Sequence, residues 1–273
     1  MYGRRPLLFS LLLPLAAALF SLPLLWLVLS SFKPPEQLKE DPYSLLPVRW
    51  NWQNYPEAVA SIPYARQLTN SLVLCLGSVV GSLVSCSLAA YGFARLRWRG
   101  RDWLFGLLLC TMLLPWHVTM IPRFVLLREL GLYNSLAALI VPTFLGDAFY
   151  IFLLRQFFRA LPEELSEAGR LDGLGEWGVF RHIVLPLAAP ALATVALFQF
   201  IASWNDFSGP LLYLSDPRQF PLAYGLEQFV SSYSDQTHLL MAASVLFALP
   251  IVVLFFFTQR LFLRGISTSG LKG

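Results

Sequence analysis

The sequence predicts an all-α integral membrane protein with six transmembrane helices. Hydrophobic residues make up 56% of its 273 residues, and charged residues make up only 13%. Soluble domains carry about 25% charged residues, so this chain lacks the charge to cover a water-soluble surface. Intrinsic disorder is also excluded, because it requires low hydrophobicity and high charge. Finally, the chain contains six long stretches that meet the requirement of about 20 mostly apolar residues for crossing a bilayer.

The six apolar stretches are separated by segments that carry the charges. They are residues 7–32, 68–94, 103–122, 130–154, 183–215 and 239–259. The fourth and fifth contain one charge each, Asp147 and Asp206. The fifth is longer than one span requires, so we expect its far end to form a loop or an interfacial segment. A signal peptide is the alternative for the first stretch, but this stretch exceeds the usual length of a signal sequence and no small-residue cleavage site follows it.

Basic residues set the orientation of these stretches. Four arginines follow the second stretch within seven residues, at positions 95, 97, 99 and 101. The positive-inside rule places this cluster, and both termini, in the cytoplasm. The predicted segments are a cytoplasmic tail with the first helix (1–32), an outer loop (33–67), a membrane core with an inner loop at 159–186 (68–263), and a cytoplasmic tail (264–273). The predicted location is the cytoplasmic membrane, in contact with lipid.

Small residues recur every four positions in the second stretch. They include Gly77, Gly81, Ser85 and Ala89. Such a face lets helix backbones approach closely in lipid. It indicates tight packing either within this subunit or against a partner subunit.

Several kinds of chemistry are not indicated by the sequence. It has no G-x-x-x-x-G-K-[ST] phosphate loop, and its three histidines are too far apart to suggest a metal site. The basic residues form no patch of the kind that binds nucleic acid. Asp147 and Asp206 leave open an intramembrane enzyme with two catalytic acids, but both lie near the outer ends of their spans. A solvated or substrate-facing role is favoured, and no catalytic, metal or cofactor site is predicted.

The inner loop begins with a short predicted helix. Pro162 suits the first helical position, and Glu163 and Glu164 suit the positive N-terminal end of the helix dipole. Gly173 suits the left-handed position that ends a helix.

This loop resembles the inner-loop signature of binding-protein-dependent ABC importers, which reads E-A-A, three residues, G, nine residues, I-x-L-P. The chain has Glu167-Ala168-Gly169, then Gly173, then Ile183-Val184-Leu185-Pro186 at that spacing. Gly169 is the single departure. We expect it to loosen the helix by up to about 1 kcal/mol relative to Ala.

Other segments extend the resemblance over residues 7–273. Trp204-Asn205-Asp206-Phe207 is similar to the W-N-D/E-F/Y element of carbohydrate importer permeases, and the ending from Arg264 to Gly273 is also typical. The chain is most similar to the MalG-like permeases of the sugar-uptake group.

The resemblance implies a type-1 ABC importer permease fold and a set of partners. These are a second permease subunit, a dimer of ATP-binding cassette ATPases and an extracytoplasmic substrate-binding protein. ATP is then hydrolysed by the ATPase, so this chain is not an enzyme and binds no cofactor. The residues expected to couple it to the ATPase are Glu167, Ala168, Gly169, Asp172 and Gly173.

The resemblance also implies a sugar substrate, with a di- or oligosaccharide favoured. Aromatic faces and planar hydrogen-bonding groups hold sugars, and the candidates in this chain are Asp147, Tyr150, Trp204, Asn205 and Asp206. Interfacial packing is the alternative role for Trp204. A permease for glycerol phosphate or a polyol is the alternative function. An anionic substrate requires basic residues near the pathway, whereas these candidates are acidic or neutral.

Overall fold

The computed structural model is helical along most of the residues it describes, 7–231 and 236–269, with side chains described for 12–230 and 236–259. In this part of the chain, four helices are long and apolar enough to cross a membrane: Leu12–Ser30, Tyr64–Ala94, Ala137–Ala160 and Thr237–Gln259. Two bent helix pairs raise the number to six if each pair is one span. The six predicted stretches are therefore recovered with changed boundaries. The ends of the predicted tails, 1–6 and 270–273, lie outside the described residues.

The helices follow one another with short connections. In chain order they are α1 (Leu7–Ser30), α2 (Pro35–Glu40), α3 (Asn54–Ser61), α4 (Tyr64–Ala94), α5 (Arg101–Cys110), α6 (Trp116–Glu129), α7 (Ala137–Ile140), α8 (Ala148–Ala160), α9 (Glu163–Leu171), α10 (Glu176–Val179), α11 (Leu185–Leu187), α12 (Ala189–Trp204), α13 (Ser208–Tyr213), α14 (Leu222–Ser231) and α15 (Thr237–Ser269).

The described residues divide into two compact units. One lies within Met1–Tyr64 and Gly225–Pro250, and the other within Ala65–Tyr224 and Ile251–Gly273. The predicted segment boundaries at 32, 67 and 263 were assigned from the predicted membrane spans. They do not coincide with these units and stay predictions.

In the first unit, polar side chains fold the segment that follows α1. Lys33 is buried, and its Nζ donates hydrogen bonds to the carbonyl oxygens of Pro42 (3.3 Å) and Ser44 (2.5 Å). Burial lowers the pKa of Lys33, and the charge of Asp41 partly opposes this. Asn54 Nδ2 donates to the carbonyl oxygen of Lys33 at 2.9 Å. The predicted outer loop is thus an ordered segment that contains α2 and α3.

The third predicted stretch is broken by a proline. Helix Arg101–Leu113 and helix Trp116–Glu129 meet at an angle of 101°. Leu114 adopts an extended conformation, with φ −78° and ψ 115°, because the ring of Pro115 disfavours the helical region for the preceding residue. The prediction of an uninterrupted stretch over 103–122 is therefore wrong at this point.

The fourth predicted stretch, 130–154, is displaced toward the C-terminus. The candidate span covers Ala137–Ala160 and contains a 3-10 segment, Val141–Leu145, followed by Gly146 at φ +91°. Such a positive φ is readily adopted by glycine, which permits the turn into α8.

The fifth predicted stretch is bent and begins earlier than expected. Helix Glu176–Leu187 and helix Ala189–Trp204 meet at 77°. Ala188 leaves the helical conformation at φ −88° and ψ 7°. Pro190, which follows, lacks the N–H that a continuous helix requires there, and its ring clashes with the carbonyl four residues earlier. The expectation that the far end of 183–215 is not part of this helix is confirmed, since α12 ends at Trp204.

The small residues of α4 pack inside the second unit. A Cβ on Gly77 would lie 3.0 Å from Cδ1 of Ile140, and one on Gly81 would meet the side chains of Thr143 and Phe144. Ser85 Oγ donates to the carbonyl oxygen of Thr143 at 2.9 Å. The interpretation of this face as packing within the subunit is confirmed at these three positions.

Candidate functional site

The inner-loop helix α9 forms close to where the sequence predicts it. Pro162 is the residue before the helix, with an extended φ of −55° and ψ of 133°, so its prediction as the first helical residue is wrong by one position. Glu163 and Glu164 lie in the first turn, where the helix dipole favours carboxylates. Gly173 follows the C-cap residue Asp172 and has φ +88°, which confirms its predicted left-handed conformation.

Helix α9 has one buried side and one exposed side. Ser166 and Gly169 are buried. Leu171 is 88% exposed and Leu165 is 43% exposed, although both are apolar. The exposed side also carries four of the five predicted coupling residues, namely Glu167, Ala168, Asp172 and Gly173. These four are therefore accessible to a partner in the conformation described.

The fifth predicted coupling residue, Gly169, packs against its own chain. A Cβ at this position would meet Cδ1 of Ile183 and lie 3.4 Å from Cδ1 of Leu174. Ile183 is the isoleucine of the same signature. The departure from alanine therefore lets α9 lie close to the segment that follows it. Gly169 is not on the side of the helix that a partner would contact.

Glu176 connects α9 to the membrane helices, and the sequence did not single it out. Its Oε1 accepts a hydrogen bond from Nε of Arg170 at 2.9 Å, and its Oε2 accepts one from the Tyr91 hydroxyl at 2.6 Å. Tyr91 is in the last turn of α4, and its ring lies 5.0 Å from that of Phe180. The side chain of Glu176 thereby links α9 to α4 and to the start of α10. Arg170 and Glu176 carry opposite charges on either side of Gly173, and this was the one sequence signal for their ion pair.

Two of the predicted substrate residues line a cavity of about 370 Å³. Asp147 and Tyr150 lie on one side of it, and Phe198, Ile201 and Ala202 of α12 lie on the other. Asp147 caps α8, because its Oδ1 accepts hydrogen bonds from the backbone N–H groups of Phe149 (2.9 Å) and Tyr150 (3.2 Å). Within the described residues, Oδ2 of Asp147 and the hydroxyl of Tyr150 make no hydrogen bond. Both groups are free to bond a ligand.

The other three predicted substrate residues do not line this cavity. Trp204 is 1% exposed, and its ring stacks on that of Phe200 at 5.7 Å. Asn205 Nδ2 donates to the carbonyl oxygen of Ile201 at 2.8 Å. The structure therefore assigns packing and helix-terminating contacts to Trp204 and Asn205, and their role in substrate passage stays a prediction.

Asp206 is occupied by a turn of its own backbone. Its Oδ1 accepts a hydrogen bond from the N–H of Gly209 at 2.9 Å, at the start of α13. Burial raises the pKa of Asp206, while the N–H groups of Gly209 and Ser208 and the charge of Arg123 act in the opposite direction. Its role in substrate passage also stays a prediction.

Sequence comparison identifies the family. The family described as "Binding-protein-dependent transport system inner membrane component" matches residues 77–268, which include α9 and the cavity. The chain belongs to this family. It is a permease subunit of the membrane that works with a substrate-binding protein, and the alternative of an intramembrane enzyme is excluded. The residues of α9 and its flanking turns belong to the inner loop of this permease.

Individual relatives match the permease over most of its length. It is 35% identical to the arabinooligosaccharides transport system permease protein AraQ of Halalkalibacterium halodurans, over 92% of this chain and 91% of that protein. It is 31% identical to the diacetylchitobiose uptake system permease protein NgcG of Streptomyces coelicolor, over 91% of this chain and 83% of that protein. A chain of a bacterial ABC transporter involved in the import of alginate superposes with a TM-score of 0.80 at 24% identity, covering 95% of this chain and 98% of that chain. This likeness establishes the type-1 importer fold.

Proposed function

We propose that this permease carries an oligosaccharide across the cytoplasmic membrane, using ATP that a separate ATPase subunit hydrolyses. The observation that carries the proposal is the kinship with sugar permeases over nine tenths of the chain. The relatives from H. halodurans and S. coelicolor are named for arabinooligosaccharides and diacetylchitobiose. An extracytoplasmic binding protein delivers the substrate, and a second permease subunit completes the pathway.

The exposed side of α9 is the proposed docking surface for the ATPase. Leu165 and Leu171 present apolar surface there, and Glu167 adds an exposed carboxylate. Closure of the ATPase dimer moves α9. The hydrogen bonds of Glu176 to Arg170 and Tyr91 then carry the displacement to the membrane helices. Alternating access requires such a stiff lever with a defined joint, and Gly173 provides the joint.

The proposed substrate pathway includes the cavity beside Asp147 and Tyr150. Its lining combines a carboxylate oxygen, a phenol hydroxyl and the rings of Phe149 and Phe198. Hydroxyl groups of a sugar donate to the carboxylate, and the sugar's C–H faces pack on the rings. No lysine or arginine lines this cavity in the part of the chain that the structure describes. The lining therefore favours a neutral sugar over glycerol phosphate. A polyol could donate the same hydroxyl hydrogen bonds, but the relatives are named for oligosaccharides, which favours a sugar.

Conservative variants of Asp147 and Tyr150 test the pathway. Asp147→Asn keeps the Oδ1 that caps α8 and removes the charge, while Tyr150→Phe removes only the hydroxyl. Each variant is expected to lower uptake per ATP hydrolysed by roughly three-fold to ten-fold, which corresponds to losing one polar contact in a membrane protein. Membrane abundance should stay unchanged. The quantity to measure is the ratio of sugar uptake to ATP hydrolysis in reconstituted vesicles.

Asp206→Asn and Asn205→Ala serve as the comparison pair, because these residues make contacts within the chain. An unchanged ratio in Asp147→Asn and Tyr150→Phe, together with a lowered ratio in the comparison pair, would move the pathway to the end of α12. An unchanged ratio in all four variants would place the sugar contacts in the partner permease.

A further inference from the structure

Four arginines surround a second cavity of about 370 Å³ at one end of the second unit. They are Arg95, Arg97, Arg101 and Arg159, and Glu163 is the one carboxylate among the lining residues. The cavity is distinct from the one beside Asp147. It lies where three membrane helices end or begin, since Ala94 is the last residue of α4, Arg101 is the first of α5 and Ala160 is the last of α8.

The arginines have more hydrogen-bond donors than the chain satisfies. Arg95 donates from Nη2 to the carbonyl oxygen of Leu161 at 2.8 Å, but its Nε–H is shielded from solvent and donates to no acceptor among the described residues. Arg159 makes no hydrogen bond or ion pair within the same residues. Nη2 of Arg97 lies 3.5 Å from Oε1 of Glu163. This ion pair is weak, because both side chains are largely exposed.

A neighbouring carboxylate does not balance the remaining charge. Asp102 Oδ1 lies 3.2 Å from Nε of Arg101 and 3.3 Å from Nη2 of Arg155, so two guanidinium groups already share it. The cavity is therefore lined by net positive charge. An anion with several acceptor oxygens complements such a lining.

The position of the cavity relative to the bilayer restricts the source of that anion. Trp98 and Trp103 line an adjoining cavity together with Arg97 and Arg101, and Trp103 is 74% exposed. Exposed tryptophans at the ends of membrane helices lie at the level of the lipid headgroups. The arginine cluster places this level on the cytoplasmic side by the positive-inside rule.

We propose that the arginine cavity binds the phosphate group of an anionic phospholipid of the cytoplasmic leaflet. The planar guanidinium fork matches phosphate oxygens and forms charge-assisted hydrogen bonds with them. Arg159, which is exposed and lines the cavity, supplies the free donors. Leu161 lies just before α9, and Glu163 is its first residue. A bound phosphate competes with Glu163 for Arg97. It also holds Arg95 in its hydrogen bond to the carbonyl oxygen of Leu161. The lipid thereby acts on the start of the inner-loop helix.

The test measures lipid binding by the permease complex, purified in detergent through an affinity tag on this chain and stripped of lipid. Dioleoyl phosphatidylglycerol is added in increasing amounts, and the midpoint of thermal unfolding is followed. We expect the wild type to be stabilised and Arg159→Gln to bind this lipid on the order of ten-fold more weakly. Arg99→Gln is the control, because Arg99 is exposed in the loop that carries Arg95 and Arg97 but does not line the cavity. Glu163→Gln removes the competing carboxylate and should strengthen binding.

Each other outcome counts against the proposal. Equal weakening by Arg159→Gln and Arg99→Gln would indicate general attraction to anionic lipid and no site. Equal stabilisation by dioleoyl phosphatidylcholine would remove the requirement for an anionic lipid. Equal stabilisation by inorganic phosphate would assign the cavity to a free anion. The assay involves no transport, so its result is independent of the proposed sugar substrate.

Discussion

Gly173→Pro is expected to abolish uptake while the protein stays in the membrane at its normal level. Gly173 has φ +88°, whereas proline fixes φ near −65°. Proline also removes the N–H that donates to the carbonyl oxygen of Arg170 at 3.1 Å. The turn after α9 therefore cannot form, and the helix loses its fixed relation to Glu176. Abundance is spared because no neighbouring atom lies within 4 Å of a Cβ built on Gly173.

Other substitutions separate backbone conformation from side-chain bulk. Gly173→Ala places a side chain in the left-handed region, at a cost of about 1–2 kcal/mol, and should lower uptake partially. Gly173→Asn should retain more activity, because asparagine tolerates this region. Gly175→Ala is the matched control, since Gly175 has φ −71° and also has open space around its Cβ position. Uptake and quantitative immunoblots of membranes provide the measurement. Wild-type uptake by Gly173→Pro would remove the left-handed joint from the mechanism.

Gly81→Val is expected to be the most destabilising of the substitutions considered. Any Cβ at position 81 meets the side chains of Thr143 and Phe144, so α4 must move away from the segment after α7. Overpacking of this kind costs about 1–3 kcal/mol, and the hydrogen bond from Ser85 to Thr143 is strained along with it. We expect a lower midpoint of thermal unfolding and lower membrane abundance, with uptake reduced in proportion.

Gly92→Val provides the control for Gly81→Val within the same helix. It adds the same β-branched side chain, but no atom lies within 4 Å of the Cβ position of Gly92. Equal thermal stability of the two variants would show that close packing at Gly81 does not hold α4 in place.

The features predicted correctly are those that depend on local signals. The six stretches follow from hydrophobicity alone. Helix α9 and the left-handed Gly173 follow from proline, glutamate and glycine at known positions of a helix. The break before Pro115 was not predicted. Proline disfavours a helical conformation in the residue before it, but the continuous apolar run from 103 to 122 was interpreted as one helix. The bend at Ala188 lies between Pro186 and Pro190, two residues that disfavour a continuous helix.

The features that were missed depend on which distant residues meet. Glu176 accepts from Tyr91, which lies 85 positions earlier in the chain. Gly169 is small because Ile183 packs against it. The burial of Trp204 and the free donors of Arg159 in the arginine cavity likewise arise from tertiary packing. No local pattern encodes such encounters, so sequence reasoning identified the inner loop but not its connections to the membrane helices.

The central claim is that this chain is a permease subunit that couples ATP hydrolysis to oligosaccharide import. The most direct test reconstitutes the complex, purified through a tag on this chain, into vesicles together with its binding protein. Radiolabelled arabinooligosaccharides and diacetylchitobiose serve as probes, and their accumulation is measured with and without ATP. The account predicts accumulation of an oligosaccharide that requires ATP and the binding protein, and its loss with Gly173→Pro. Accumulation without ATP, or ATP hydrolysis stimulated by a loaded binding protein with no accumulation of its sugar, would contradict it.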